Sequence, residues 1–225
     1  MPSSAQRLVV VGDSLFAEIA LEYFTHDSDY EVVGFSVEEA YRSQDTFHDL
    51  PVYPLETLEE HVAVGEHSVF AALTYGQLNR VRTRLAGEAK RKGFALASYV
   101  SSHAFVWRNV TLGEHNFIFE DNTIQPFVKL GSNIVMWSGN HIGHHSTLGD
   151  NLFIASHAVI SGNVTVGDYS FIGVNATVVN DIAIGADNWI GPSVTVMKST
   201  EDNQFWLPPR SALREKTPRD AFRVA

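Results

Sequence analysis

Four histidines fall close together in the chain: His141, His144, His145 and His157. An imidazole titrates near neutrality, so it can take a proton from an attacking hydroxyl or amine. Three imidazoles converging on one point would instead hold zinc. Thiol chemistry is excluded, because the chain has no cysteine to act as nucleophile, metal ligand or disulfide partner. The choice between proton transfer and metal binding depends on where the backbone puts each ring.

The backbone around these residues has a strict phase. Every sixth residue from Val100 to Val196 is Val, Leu, Ile or Met, and the register never slips. A period of six is the mark of a hexapeptide β-helix, and neither a heptad nor a 3.6-residue helix produces it. Three hexads make one triangular coil, so residues 18 apart stack roughly 4.8 Å from each other. The repeat gives a little over five coils with no inserted loop.

Numbering each aliphatic as position 1, position 4 holds mainly Asn, Asp, His and Gly. These types tolerate the left-handed backbone that a sharp corner needs. His145 and His157 both sit there and are explained as corner residues. His144 sits at position 3, where other hexads carry mostly small or polar residues, and corner geometry does not ask for it. His141 is at position 6, an outward strand position, where it either lines the same groove or decorates the surface. Gly162 lies one coil above His144, and Asn180 one coil higher. Position 6 also supplies an outward column of Phe117, Val135, Phe153, Phe171 and Trp189. An apolar stripe facing water marks an interface, and a contact between subunits is expected there.

The first half has a different grammar. Apolar runs at 8–11, 30–35, 68–73 and 94–99 read as strands, and 16–24, 55–61 and 77–92 read as helices. This alternation predicts a parallel α/β unit over residues 1–98, followed by the β-helix over 99–198 and a tail over 199–225. The junction Gly12-Asp13-Ser14 joins the first strand to the first helix, a place where a phosphate can bind. Against that, Asp13 repels a phosphate, and Ser14 is also explained as a helix N-cap. The full G-x-G-x-x-G fingerprint is missing, which argues against a dehydrogenase. A net charge of −10 argues against nucleic-acid binding. No apolar run approaches a membrane span or a signal-peptide core, so a cytoplasmic protein is expected.

The segment His144-His145-Ser146-Thr147-Leu148-Gly149-Asp150, continued by Ile154-Ala155 and Ile160-Ser161-Gly162, resembles the hexapeptide-repeat acyltransferases, whose β-helix is left-handed. With the α/β half, the chain is similar to the sialic acid O-acetyltransferase-like and nucleotide-amino-sugar N-acetyltransferase group. These pair a Rossmann-like unit with such a β-helix. The resemblance implies a homotrimer that uses acetyl-CoA as co-substrate and a sugar or nucleotide sugar as acceptor, with no metal. It implies His144 as general base for direct attack on the thioester, with His145 beside it. Gly162 and Asn180 would line the acyl-CoA path. Gly12, Asp13, Ser14 and His141 are the candidate acceptor-binding residues, and the basic tail residues Arg214, Lys216, Arg219 and Arg223 are candidates for the cofactor phosphates.

Three positions depart from the family. His145 stands where an acidic residue often follows the base, so an orienting carboxylate is expected from Asp150 or a neighbouring subunit. Phe153 stands where a second histidine is frequent, and Trp137 where asparagine is frequent. The rival readings are a non-catalytic scaffold or binding protein and a zinc enzyme of the carbonic anhydrase type. The zinc reading is disfavoured because His144 and His145, adjacent at a sharp corner, are expected to point apart.

Overall fold

The hexad aliphatics point inward and form one continuous column of buried side chains from Ile118 to Val196. This computed structural model describes residues 6–211, 213 and 217. The coils stack into three parallel sheets that make a left-handed β-helix. Partners lie 18 residues apart, as in Phe117↔Val135↔Phe153↔Phe171↔Trp189 on the first face. His141, paired with Thr123 and Val159, lies on the second face. Every position-4 residue from His115 to Ser193 has positive φ, so the corners are left-handed throughout. Buried asparagines close the turns: Asn116 Nδ2 donates to the carbonyls of Gly113 and Gly131, and its Oδ1 accepts from Ile134 N. A buried corner therefore leaves few backbone groups without partners.

The N-terminal unit has a sheet in the order β3-β4-β2-β1-β5-β6. Its elements are β1 (Gln6–Val11), α1 (Leu15–His26), β2 (Tyr30–Val37), β3 (Thr46–Phe47), β4 (Leu50–Pro54), α2 (Leu58–His61), β5 (His67–Ala71), α3 (Arg80–Arg91) and β6 (Ala95–Leu96). All pairings are parallel except the hairpin β3–β4, which turns through His48 and Asp49, both at positive φ. The expected helix over 77–92 begins only at Arg80, because Gln77, Leu78 and Asn79 adopt left-handed φ of 52°, 50° and 64°. The expected strand over 94–99 is divided. Ala95–Leu96 joins the α/β sheet, and Tyr99–Val100 opens the β-helix.

The outward aromatic column is not a subunit contact. It is buried by the same chain: Phe117 meets Phe16, Phe24 and Phe70 at ring distances of 5.5, 5.7 and 5.2 Å. Tyr75 sets its edge on Phe153 and Phe171, each at 4.9 Å. The α/β sheet has one face that its own helix α1 covers only in part, and the first face of the β-helix completes that core. Polar clamps flank it, from Tyr99 to Asp27 at 2.6 Å and from Arg80 to Asp187 at 2.6 Å. Among the described residues no helix is long and apolar enough to cross a membrane.

Candidate active site

The corner between the second and third faces carries His144 and His145, both exposed. The His144 ring lies over the backbone of Gly162. A Cβ at Gly162 would come within 2.8 Å of both Cε1 and Nε2 of His144, so only glycine leaves the ring where it is. The backbone N–H of His144 donates to Gln125 Oε1 at 2.9 Å. The two imidazoles do not point apart as expected: His144 Nδ1 and His145 Nδ1 are 3.1 Å from each other. Lying along the coil axis over Gly162, the first ring brings its Nδ1 edge to the second. The His145 ring is itself stacked on Phe127, with centroids 4.6 Å apart and planes 28° from parallel.

Asn180 is exposed at the same corner and donates to Asp181. Asn163 donates to the other oxygen of Asp181 at 2.9 Å. These amides hold the Asp181 carboxyl below the usual carboxylate range, and the nearby His144 adds to that. Asp150 does not orient His144. It accepts from Ser132 N at 2.7 Å, at the corner between the third and first faces. Lys198 is exposed just after Thr195–Val196, the last strand of the second face. The tail residues Arg214, Lys216, Arg219 and Arg223 lie outside the described residues. His157 belongs to the corner between the first and second faces, packed on Gly139. Among the described residues no three His, Asp or Glu side chains converge to hold a metal ion.

A cavity of about 400 Å³ opens at the C-terminal ends of β1 and β2, away from the His144 corner. Gly12, Asp13 and Ser14 line it with Glu38, Tyr41, Gln77 and Arg84. Gly12 has φ of +116°, and a Cβ there would sit 3.1 Å from Ala72 O, so the strand-to-helix turn requires glycine. Ser14 occupies the N-cap position of α1, yet its side chain makes no cap hydrogen bond. Arg84 grips both oxygens of Glu38, at 2.7 and 2.9 Å. Gln77, on the rim, opens a left-handed run that continues through Leu78 to Asn79. Three such non-glycine residues in succession are costly, and strain of this kind collects at ligand sites.

His144, His145, Gly162 and Asn180 thus share one corner, and His141 lies on the adjoining face. Gly12, Asp13 and Ser14 lie in the other cavity, in the unit that covers the opposite, first face. Phe153 and Trp137 are packed beneath that unit and not beside His144. Gln125, Phe127 and Lys198 were not anticipated. Phe127 had a legible signal, since a bulky aromatic is out of place at a left-handed corner.

Residues 145–180 match the family model described as Bacterial transferase hexapeptide (six repeats). No curated protein matches the chain by sequence. Among solved structures, the chain is similar to the acetyltransferase domain of PglB from Neisseria gonorrhoeae FA1090 in complex with acetyl coenzyme A. The two are 19% identical over 89% of this chain and 95% of that one, with a TM-score of 0.78. PerB from Caulobacter crescentus, in complex with CoA and GDP-perosamine, is 25% identical over 88% and 92%, with a TM-score of 0.77. WeeI from Acinetobacter baumannii AYE is 21% identical over 88% and 94%, with a TM-score of 0.68. The chain therefore has the architecture of the hexapeptide-repeat sugar acyltransferases, α/β unit and left-handed β-helix together.

Proposed function

We propose that the protein is an acyl-CoA-dependent sugar acetyltransferase in which His144 is the general base. The observation that carries this reading is the His144 imidazole laid on the bare backbone of Gly162 at an exposed corner. Solved structures with the same fold hold acetyl coenzyme A, or CoA with GDP-perosamine. Acetyl-CoA supplies the activated acyl group. The residues present suit such a ligand: the corner is open, Gly162 adds no side chain, Asn180 offers an amide, and Lys198 brings positive charge for phosphates. The Gly162 N–H has no partner among the described residues and is available to an oxyanion. The His144 ring takes the proton of a sugar amine or hydroxyl as that group attacks the thioester directly.

The acceptor is a sugar or nucleotide sugar held at Gly12, Asp13 and Ser14. That cavity and the His144 corner lie on different sides of one chain, so a second copy must bring its corner to the cavity. A trimer meets this need. Its contacts fall outside the first face, which is already covered. Phe105, Trp107, Val159 and Met197 of the second-face strands and their edges are exposed apolar residues suited to such a contact.

The test is release of free thiol from acetyl-CoA by the full chain, against free and nucleotide-linked amino sugars. Turnover is expected with one acceptor class. His144→Ala should lower kcat by about 10²–10⁴ and leave the KM for acetyl-CoA nearly unchanged. No turnover with any acceptor, together with no acetyl-CoA binding by calorimetry, would replace the enzyme reading with the scaffold reading.

A further inference from the structure

We propose that His145 is a positioning residue that accepts a hydrogen bond from the base, and that Phe127 holds it in place for that task. The proposal rests on the reading of His144 as general base. Two imidazole nitrogens 3.1 Å apart cannot both present lone pairs. One ring carries its proton on Nδ1. If His145 were the donor, His144 would keep its proton on Nε2 and have no free nitrogen to act as a base. In the working arrangement His144 donates from Nδ1 to the Nδ1 lone pair of His145. His145 then carries its own proton on Nε2, and His144 Nε2 is free. When Nε2 takes the acceptor's proton, the Nδ1–H bond to His145 becomes charge-assisted and shortens. A neutral imidazole thereby does what a carboxylate after the base would do.

The local structure is built around this pair. The left-handed corner alone does not demand histidine at 145, since Asn163 and Asp181 fill the next two levels of the same column with φ of 57° and 61°. Phe127 fills the level below with φ of +66°, a costly backbone for an aromatic residue. Burial does not explain that choice, because Phe127 remains 54% exposed. Its ring lies flat against His145 and fixes the plane of the acceptor nitrogen. Gln125 pins the backbone of His144 from the coil below, and Gly162 meets its ring from the coil above. The charged group facing the pair is Asp181, whose carboxyl is held low by Asn163 and Asn180 and, to a smaller extent, by His144. The other neighbours, Gln125, Phe127, Gly162, Asn163 and Asn180, are neutral.

A proton on His145 Nδ1 turns the acceptor into a donor and breaks the arrangement. The first proton taken up by the pair, on either ring, silences it, and like-charge repulsion opposes a second, so the acid limb of kcat/KM should fall with a slope of one proton. His145→Asn keeps the corner but should lower kcat by about 10–100-fold at unchanged KM, with the acid limb moved to lower pH because the imidazolium loses its imidazole acceptor. His145→Glu should restore most of the rate, with a one-proton limb moved to higher pH, because a carboxylate favours the imidazolium. Phe127→Asn relieves the corner, so it should hold or raise Tm while kcat falls several-fold. If His145→Asn is silent and its pH profile matches wild type, His145 is only a corner residue and the proposal fails. A separate measurement does not depend on turnover. Nitrogen-15 NMR of the imidazoles in the wild-type protein, assigned with His144→Asn and His145→Asn, should show Nδ1–H on His144 and Nε2–H on His145. Nε2–H on both rings overturns the proposal even in an active enzyme. The expected tautomers support it even if acetyl transfer proves to be the wrong reaction.

Discussion

His115 should make the fold acid-sensitive. Its ring is 1% exposed at the seam between the α/β unit and the β-helix. Nε2 accepts from Ala71 N at 2.9 Å, and Nδ1 bonds Asn133 Oδ1 at 2.7 Å. Arg82, fully buried, donates to Ala71 O at 2.9 Å and to His115 O at 3.0 Å, and also to Asn133 Oδ1. Burial lowers the Arg82 pKa to about 9, so it stays charged at neutral pH. Burial first, and then the Arg82 charge, pull the His115 pKa well below its ordinary 6.5. A second proton on His115 would break the Ala71 bond and set two cations side by side. As pH falls through 6.5, the unfolded chain takes up a proton on His115 that the folded chain refuses. Stability from this site is whole above that pH and is lost below it. One such proton approaches about 1.4 kcal/mol at a pH one unit below the unfolded pKa. His115→Gln keeps a donor and an acceptor but removes the titration. Urea unfolding of wild type and variant at about pH 8 and about pH 5.5 isolates the effect from the other histidines by difference. The wild type should lose about 1 kcal/mol more than the variant over that interval. An equal loss in both would show that folded His115 accepts its proton freely, and the reasoning would be wrong.

Gly162→Ala should leave Tm nearly unchanged, because the imidazole can swing away, yet lower kcat by roughly 10–100-fold, because the ring that meets the new Cβ is the proposed base. An unchanged kcat would separate His144 from the chemistry. Phe171→Glu puts a carboxylate between Phe153 and Trp189, whose rings lie 5.6 and 3.9 Å from that of Phe171. It should cost about 3–5 kcal/mol of stability, read by urea unfolding. A folded variant that merely dropped to a lower mass in light scattering would return this column to a subunit contact. Lys198→Ala should raise the KM for acetyl-CoA several-fold without changing kcat, and an unchanged KM would remove Lys198 from the phosphate path.

The repeat was legible because the hexad aliphatics answer to one constraint, the inside of a triangular coil. Position 4 was legible for the same reason, since every residue there pays a left-handed corner. The column at Phe117 and Phe171 was legible as outward and apolar, but its partner was not. Periodicity reports which way a side chain leaves the backbone and is silent on what covers it. The hairpin β3–β4 was missed because His48-Asp49 lacks the Asn-Gly or Asp-Gly signal, and Pro51 and Pro54 disguise the strand. The late start of α3 was missed because Gln77 and Leu78 are ordinary helix formers, and Asn79 is held instead by its bond to Asn151 O at 2.7 Å. At the candidate base, the spacing placed His144 over Gly162. It could not show the contact with His145, which depends on how far the first ring leans along the coil axis.

The covered first face constrains everything else. The α/β unit lends α1 and Tyr75 to a core it shares with the β-helix, so the two halves fold as neighbours with fixed orientation. That orientation is locked by the buried network of Arg82, His115 and Asn133, with Asn133 Nδ2 reaching Thr83 and Asn151 at 2.9 and 2.8 Å. The same network ends on Ala71, the last residue of β5, beside the turn at Gly12. The cavity and the seam are therefore mechanically one piece. The His144 corner belongs to the same rigid prism but opens on another side. Neither half can swing to meet the other within one chain without tearing the shared aromatic core. A reaction that needs both would take one from each of two copies.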